Sequence, residues 1–390
     1  MKSLSLRVII ANKYVQGAML ASISVLLIIL SLEIFLQYFY PDKYRYTSNN
    51  YTRFSEYDPY LGWKLKKDTE GRITQMDYSI LVKINHEGFR DNYTPQNVSD
   101  IMKRIWMIGD SFTFGYGVEE EETFSSILQK YLPLYDIVNM GVYGYATDQE
   151  FLLYKKKLQE EINPDIVVLQ MFLSNDMIDN LSGDFLHYHK PHFLLTDTGL
   201  ILTNVPVPLN TTKTIDENKT SLKNYIKEIL SQHSRAFNFI DIRYDYLKDI
   251  INRKKHAYSL SKKYGTPEEL NRSWRITEAL IRSFNEISKT NGTKLIIVLI
   301  PDKRDFYDID TNFRKYFDAY ERIKKMSNKE NFTVIDLYRS FEKVIDKSGI
   351  HKIYLLRDAH LNAYGHKIIA DEIFNVISKM KYTSGQIDAK

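Results

Sequence analysis

From Val15 to Leu32 the chain carries no charged residue, and beyond that stretch only Glu33 and Gln37 interrupt the apolar run as far as Tyr40. A bilayer core takes about 20 such residues as a helix. A soluble core helix would show a fuller polar face than Gln16, Ser22, Ser24 and Ser31 provide. The pattern therefore predicts a transmembrane anchor over 15–40. A cleaved signal peptide is the rival reading, but the residues that follow offer no small-x-small cleavage site.

Past the anchor the periods change. Short runs at 103–108, 136–144 (ending in glycines), 165–176 (ending in an Asn-Asp pair), 294–301 and 332–337 read as strands, the fourth of them as a buried parallel strand. Between and after them, helical periodicity predicts helices over 119–131, 273–290, 311–327 and 364–380, the first with acidic residues in its opening turn. Strands alternating with helices predict an α/β fold, a three-layer α/β/α sandwich around a parallel sheet. The run Tyr78-Ser-Ile-Leu-Val-Lys-Ile84 predicts a strand in a cap or linker segment over 41–100. Apolar runs flanking Thr196-Asp-Thr-Gly199 predict a hairpin over 192–203, inside what reads as an insertion at 180–272. The expected organisation is a short segment at 1–14, the anchor, the cap, a main domain over 101–382 that contains the insertion, and a frayed tail at 383–390.

Composition changes this picture little. Hydrophobic residues are 44% of 390, enough for a proper core. A formal charge of +4 without a dense Lys/Arg cluster gives no sign of a nucleic-acid partner. The absence of cysteine excludes disulfides, thiolate catalysis and Cys-ligated zinc. The run His187-Tyr-His-Lys-Pro-His192 matches no zinc spacing and reads as a polar loop, so neither a metal nor a cofactor is expected.

The candidate chemistry sits at strand ends. In Ile108-Gly-Asp-Ser-Phe-Thr-Phe-Gly-Tyr-Gly-Val118, Ser111 falls at the carboxyl edge of the first sheet strand, where open α/β sheets bind their ligands. The second strand runs into Asn139-Met-Gly-Val-Tyr-Gly144, the third into Ser174-Asn-Asp176, and Arg357-Asp-Ala-His-Leu-Asn-Ala-Tyr-Gly-His366 precedes the last helix. A serine hydroxyl needs a base within hydrogen-bond reach, histidine suits that task, and a carboxylate behind the ring fixes its tautomer.

These four blocks, in this order, resemble the SGNH (GDSL-type) hydrolase family over about residues 100–178 and 350–378. The resemblance implies a flavodoxin-like parallel sheet and an acyl-enzyme mechanism, with Ser111 as nucleophile and His360 as base. It also implies an oxyanion hole formed by the N–H groups of Ser111 and Gly144 and the side chain of Asn175. Gly144 is preferred to Gly141 because it lies five residues after Asn139. Asp358 is the implied acid. The commonest family spacing would place Arg357 there, and the shift also looks like some polysaccharide O-acetylation relatives. His366 is a competing base, though better placed to begin the last helix. The expectation is a membrane-anchored esterase or O-acyltransferase, its catalytic domain outside the cytoplasm, acting on an acylated small molecule or on a cell-envelope polysaccharide. The alternative is a catalytically silent carbohydrate-binding protein on the same scaffold.

Overall fold

The computed structural model describes residues 2–40, 44, 53–75, 78–91, 103–160, 163–173, 176–185, 188–209, 222–252, 267–306, 312–356 and 358–384. The chain divides into two compact units, one of Met1–Ser48, Thr74–Ser79 and Asp216–Leu247, the other of Asn49–Ile73, Ile80–Ile215 and Lys248–Lys390.

In chain order, α1 (Lys2–Phe39) precedes two antiparallel pairs, β1 (Ser55–Asp58) with β2 (Gly62–Leu65), and β3 (Thr69–Thr74) with β4 (Ser79–Ile84). Then come β5 (Lys103–Ile108), α2 (Ser111–Phe114), α3 (Phe124–Tyr131), β6 (Tyr135–Asn139), α4 (Thr147–Glu160), β7 (Ile166–Phe172) and α5 (Asp176–Asp179). Two hairpins follow, β8 (Asp184–Phe185) with β9 (Tyr188–His189), and β10 (His192–Thr196) with β11 (Gly199–Thr203). Helices α6 (Leu222–His233), α7 (Arg235–Asn252) and α8 (Pro267–Thr290) lead to β12 (Lys294–Ile300). The remaining elements are α9 (Asn312–Glu330), β13 (Thr333–Asp336), α10 (Tyr338–Ser348) and α11 (Ala363–Ser384).

Five strands pair in parallel in the order β13-β12-β7-β5-β6. Numbered by chain position this is 2-1-3-4-5, the flavodoxin-like order, with its switch point between β5 and β7. The central strands β7 and β12 bury both faces, to which successive side chains point in turn. Ile105, Met107, Val168, Ile296 and Val298 share a core with Phe124 and Leu128 of α3, Phe341 of α10 and Ile369 and Ile373 of α11. On the other face Trp106 meets Tyr154 of α4 edge-on at 6.0 Å, and Tyr154 stacks on Phe284 of α8 at 4.5 Å. The result is a three-layer α/β/α sandwich.

Two local expectations are corrected. Glu119 to Tyr131 is not one helix: Glu120–Glu122 forms a 3-10 turn, and Thr123 restarts the chain by accepting from Ser126 N at 3.2 Å. A threonine whose hydroxyl caps the next turn is worth more there than inside a continuous helix. The histidine-rich run is not simply a polar loop either, since Tyr188–His189 and His192–Thr196 are paired strands. His187 lies outside the described residues.

In the first unit, α1 is exposed and apolar along most of its length from Lys13 to Phe39. At about 1.5 Å per residue those 27 residues reach roughly 40 Å, longer than a bilayer core of about 30 Å.

Candidate active site

Strand β5 ends at Ile108, and the chain turns sharply through Gly109 into α2. A Cβ on Gly109 would lie 2.2 Å from Thr113 Oγ1 and 2.4 Å from Gln170 Oε1, so only glycine fits. Asp110 caps the short helix by accepting from Phe112 N at 2.8 Å. Gln170, a polar residue within fully buried β7, accepts from Asp110 N at 3.2 Å and from Thr113 Oγ1 at 2.9 Å. Its amide oxygen thereby fixes the turn that presents Ser111.

His360 arrives from the far end of the sequence, on the loop between α10 and α11. The N-terminus of α11 is closed by Asn362, whose Oδ1 accepts from Tyr364 N at 3.0 Å and Gly365 N at 3.1 Å. Leu355 N donates to His360 O at 2.9 Å and tethers the loop from its other side. The imidazole Nε2 lies 2.6 Å from Ser111 Oγ, and Nδ1 lies 2.5 Å from Asp358 Oδ1. That carboxylate also accepts from His360 N at 3.0 Å. Spacing by two residues therefore delivers the acid to the ring, because the chain folds back over its own side chain. The rings of Phe112 and Tyr116 flank His360, with centroids at 4.9 and 4.7 Å.

Burial by itself would push His360 down. The charge and hydrogen bond of Asp358, with Asp110 further away, carry it above the ordinary imidazole value of 6.5. Asp358 moves the other way: burial opposes its ionisation, but His360 and the surrounding N–H groups hold it below 3.8.

Gly144 takes φ +78°, and a Cβ there would fall 2.7 Å from Phe185 Cε1. Among the described residues, neither the Ser111 N–H nor the Gly144 N–H has a hydrogen-bond partner. Asn175 and Arg357 lie outside the described residues.

Several residues that shape the site are silent in the sequence pattern. Arg90 is fully buried, and its guanidinium donates to the carbonyls of Phe114 (3.1 Å), Gly115 (2.6 Å) and Val118 (2.8 Å), bracing the loop after Ser111. Burial lowers its pKa to about 10 against the pull of Glu119 to Glu122. A carboxyl group of fully buried residues lies behind the nucleophile turn. Burial raises Asp110 to about 6, against Phe112 N–H, His360 and Gln170. Burial and the neighbouring acids push Glu150 and Asp176 well above the ordinary carboxylate range. Arg90 follows Gly88-Phe89 in a run with no apolar period, and Glu150 sits in a polar stretch, Thr147 to Glu150, that looks solvent-facing.

No family model matches the chain, and no curated protein does. Among the solved structures similar to it are G-D-S-L lipolytic proteins. One from Veillonella parvula DSM 2008 is 13% identical, with a TM-score of 0.38 over 71% of this chain and 98% of its own. Another, described as a putative lipolytic protein of that family from Desulfitobacterium hafniense DCB-2, is 14% identical, with a TM-score of 0.37 over 70% and 99%. An acetylxylan esterase from Geobacillus stearothermophilus is 15% identical, with a TM-score of 0.36 over 71% and 95%. At these identities and TM-scores the reaction has to be read from the chain's own atoms.

Proposed function

We propose that this chain is a membrane-anchored serine esterase of the SGNH type, and that the continuous relay Asp358–His360–Ser111 carries the reaction. The observation that supports it is the pair of contacts at 2.5 and 2.6 Å on the two nitrogens of one imidazole. With Nδ1 donating to Asp358, Nε2 is free to accept the Ser111 proton as Oγ attacks an ester carbonyl. The new C–O bond places negative charge on the carbonyl oxygen. The N–H groups of Ser111 and Gly144, with the Asn175 amide, are the donors assigned to it. His360 then returns the proton to the leaving alcohol, and an acyl group remains on Ser111. Water or a sugar hydroxyl, deprotonated by the same imidazole, releases it. Hydrolysis and O-acyl transfer thus share every step but the last.

The preferred substrate is an O-acylated carbohydrate. Phe185 and Tyr188 support this choice: both are half-buried, they pack on the buried Trp63 at 5.9 and 5.7 Å, and Phe185 adjoins Gly144. Such rings offer flat apolar faces to the C–H surface of a sugar. Helix α1 is the anchor, by length and apolar exposure, and the catalytic domain is assigned outside the cytoplasm.

A fluorophosphonate probe tests the reading on the full-length protein in detergent, since its phosphonyl oxygen occupies the position of an ester oxyanion. Ser111 should be labelled at pH 8, and labelling should vanish in Ser111→Ala. A folded protein that takes up no probe and cleaves neither p-nitrophenyl acetate nor acetylated xylan would instead be a silent binding scaffold. Uptake surviving Ser111→Ala would move the nucleophile elsewhere.

A further inference from the structure

Helices α6 and α7 are built inside out. Ser231 and Asn238 are buried, whereas Ile226, Ile229 and Leu230 on α6 are 40–48% exposed. On α7 Ile240, Tyr244 and Leu247 are 47–63% exposed. Their spacing places three apolar side chains on one face of each helix. A helix pair standing in water would turn those faces inward and Asn238 outward. Instead Asn238 Nδ2 donates to Ser231 O and Tyr44 O, both at 2.8 Å, closing the polar side of the turn from within.

The same unit contains the apolar helix α1, and one side chain joins the two. Glu33 accepts from Ser234 Oγ at 2.8 Å, Arg235 N at 3.1 Å and Ala236 N at 2.8 Å. A carboxylate from α1 thereby caps α7, where free N–H groups and the helix dipole favour an anion. Glu33 stands six residues before the end of α1 at Phe39, roughly 9 Å along its axis. That matches the depth of about 5–10 Å at which amphipathic helices lie in the headgroup–acyl boundary. Neither helix suits a span: α6, at 12 residues, reaches only about 18 Å, and α7 carries Asp241, Arg243, Asp245, Lys248 and Asp249 along its length.

We infer that α6 and α7 form a second membrane contact, their exposed apolar faces buried among lipid acyl chains beside the anchor and held at that depth by Glu33. This rests on the reading of α1 as the anchor. The occupant is a lipid surface because α1, joined to α7 through Glu33, exposes apolar side chains in the same unit, and because the groups turned inward are those lipid would reject.

The cysteine-free sequence allows a direct test. Full-length variants Ile28→Cys, Ile229→Cys, Tyr244→Cys and Glu286→Cys would each carry one nitroxide. They would be reconstituted in phosphatidylethanolamine–phosphatidylglycerol vesicles, with unchanged thermal unfolding as the entry condition. Labels at 28, 229 and 244 should be relaxed several-fold more by oxygen than by an aqueous nickel chelate, and the label at 286 the reverse. If 229 and 244 follow 286 while 28 reports lipid, the inference falls and the anchor stands. If 28 also reports water, the anchor reading itself fails. Protection of 229 and 244 from both relaxants would place protein there, a second copy included, and would equally overturn a lipid contact.

Discussion

His360 and His366 are six residues apart, yet their pKa values move in opposite directions from the ordinary imidazole value. His366 sits in the first turn of α11, stacked on Phe124 at 5.6 Å, and its Nδ1 accepts from Phe124 N at 3.3 Å. Burial drives it down to about 3, and the charges of Arg90 and His360 add to that. Burial also opposes the charge on His360, whose side chain keeps 20% of its exposure, but Asp358 reverses that effect. The loop and the helix thus place the same side chain in two settings. Deeper burial and a nearby cation lower His366, whereas a carboxylate behind the ring outweighs burial at His360.

The largest test removes the base. In His360→Ala, turnover of an ester should fall by about 10⁶, as happens when a relay's histidine is lost. Retention of activity would make His366 or an outside group the base. Next, Asp358→Asn should keep the fold and cut kcat by about 10⁴. Near-normal turnover in that variant would mean that the 2.5 Å contact orients nothing.

The pH dependence follows from the same contrast. Only neutral imidazole accepts the serine proton, and His360 is raised, so kcat/KM should fall as pH drops through a value above 6.5. Asp358→Asn should move that inflection downward. A profile flat from pH 5 to 9 would separate His360 from the rate.

The smallest effect on catalysis belongs to His366→Gln, with activity expected within about threefold and a stability loss of about 1–3 kcal/mol from the Phe124 N–H contact. His366 is depressed, so the stability it contributes is present above 6.5 and is lost as pH falls toward about 3. The variant should therefore show a shallower decline of melting temperature across that window. An unchanged slope would mean that His366 is not the group that must charge.

Much of the sheet was legible. All five strands announced themselves as short apolar runs, because a parallel strand covered on both faces has no polar alternation to hide it. Ser111, Asp358 and His360 were visible as strand-end and loop chemistry, although their meeting is a tertiary event. Arg90 was not legible: an arginine reads as surface until three carbonyls of a loop are seen around it. Thr147 to Glu150 misleads for the same reason. This polar run is wholly buried, with Asp148 paired to Lys190 and Gln149 donating to Leu61 O at 2.8 Å. Periodicity reports which residues avoid water by being apolar, and it gives no sign of a buried polar run, even one in which Thr147 Oγ1, Gln149 Oε1 and the Glu150 carboxyl oxygens lack partners among the described residues. The charged look of 241–263 likewise concealed the outward apolar face of α7.

The relay also imposes an order in time. Ser111 and Gly144 belong to the first half of the chain, whereas His360 follows the serine by 249 residues. Its loop takes its final position beside α11, which packs on α3. During synthesis the apolar helix and the nucleophile leave the ribosome long before the imidazole exists. A growing chain can thus assemble most of its sheet while Ser111 still lacks its imidazole partner. The Asp358–His360–Ser111 relay can close only after the loop before α11 has been made.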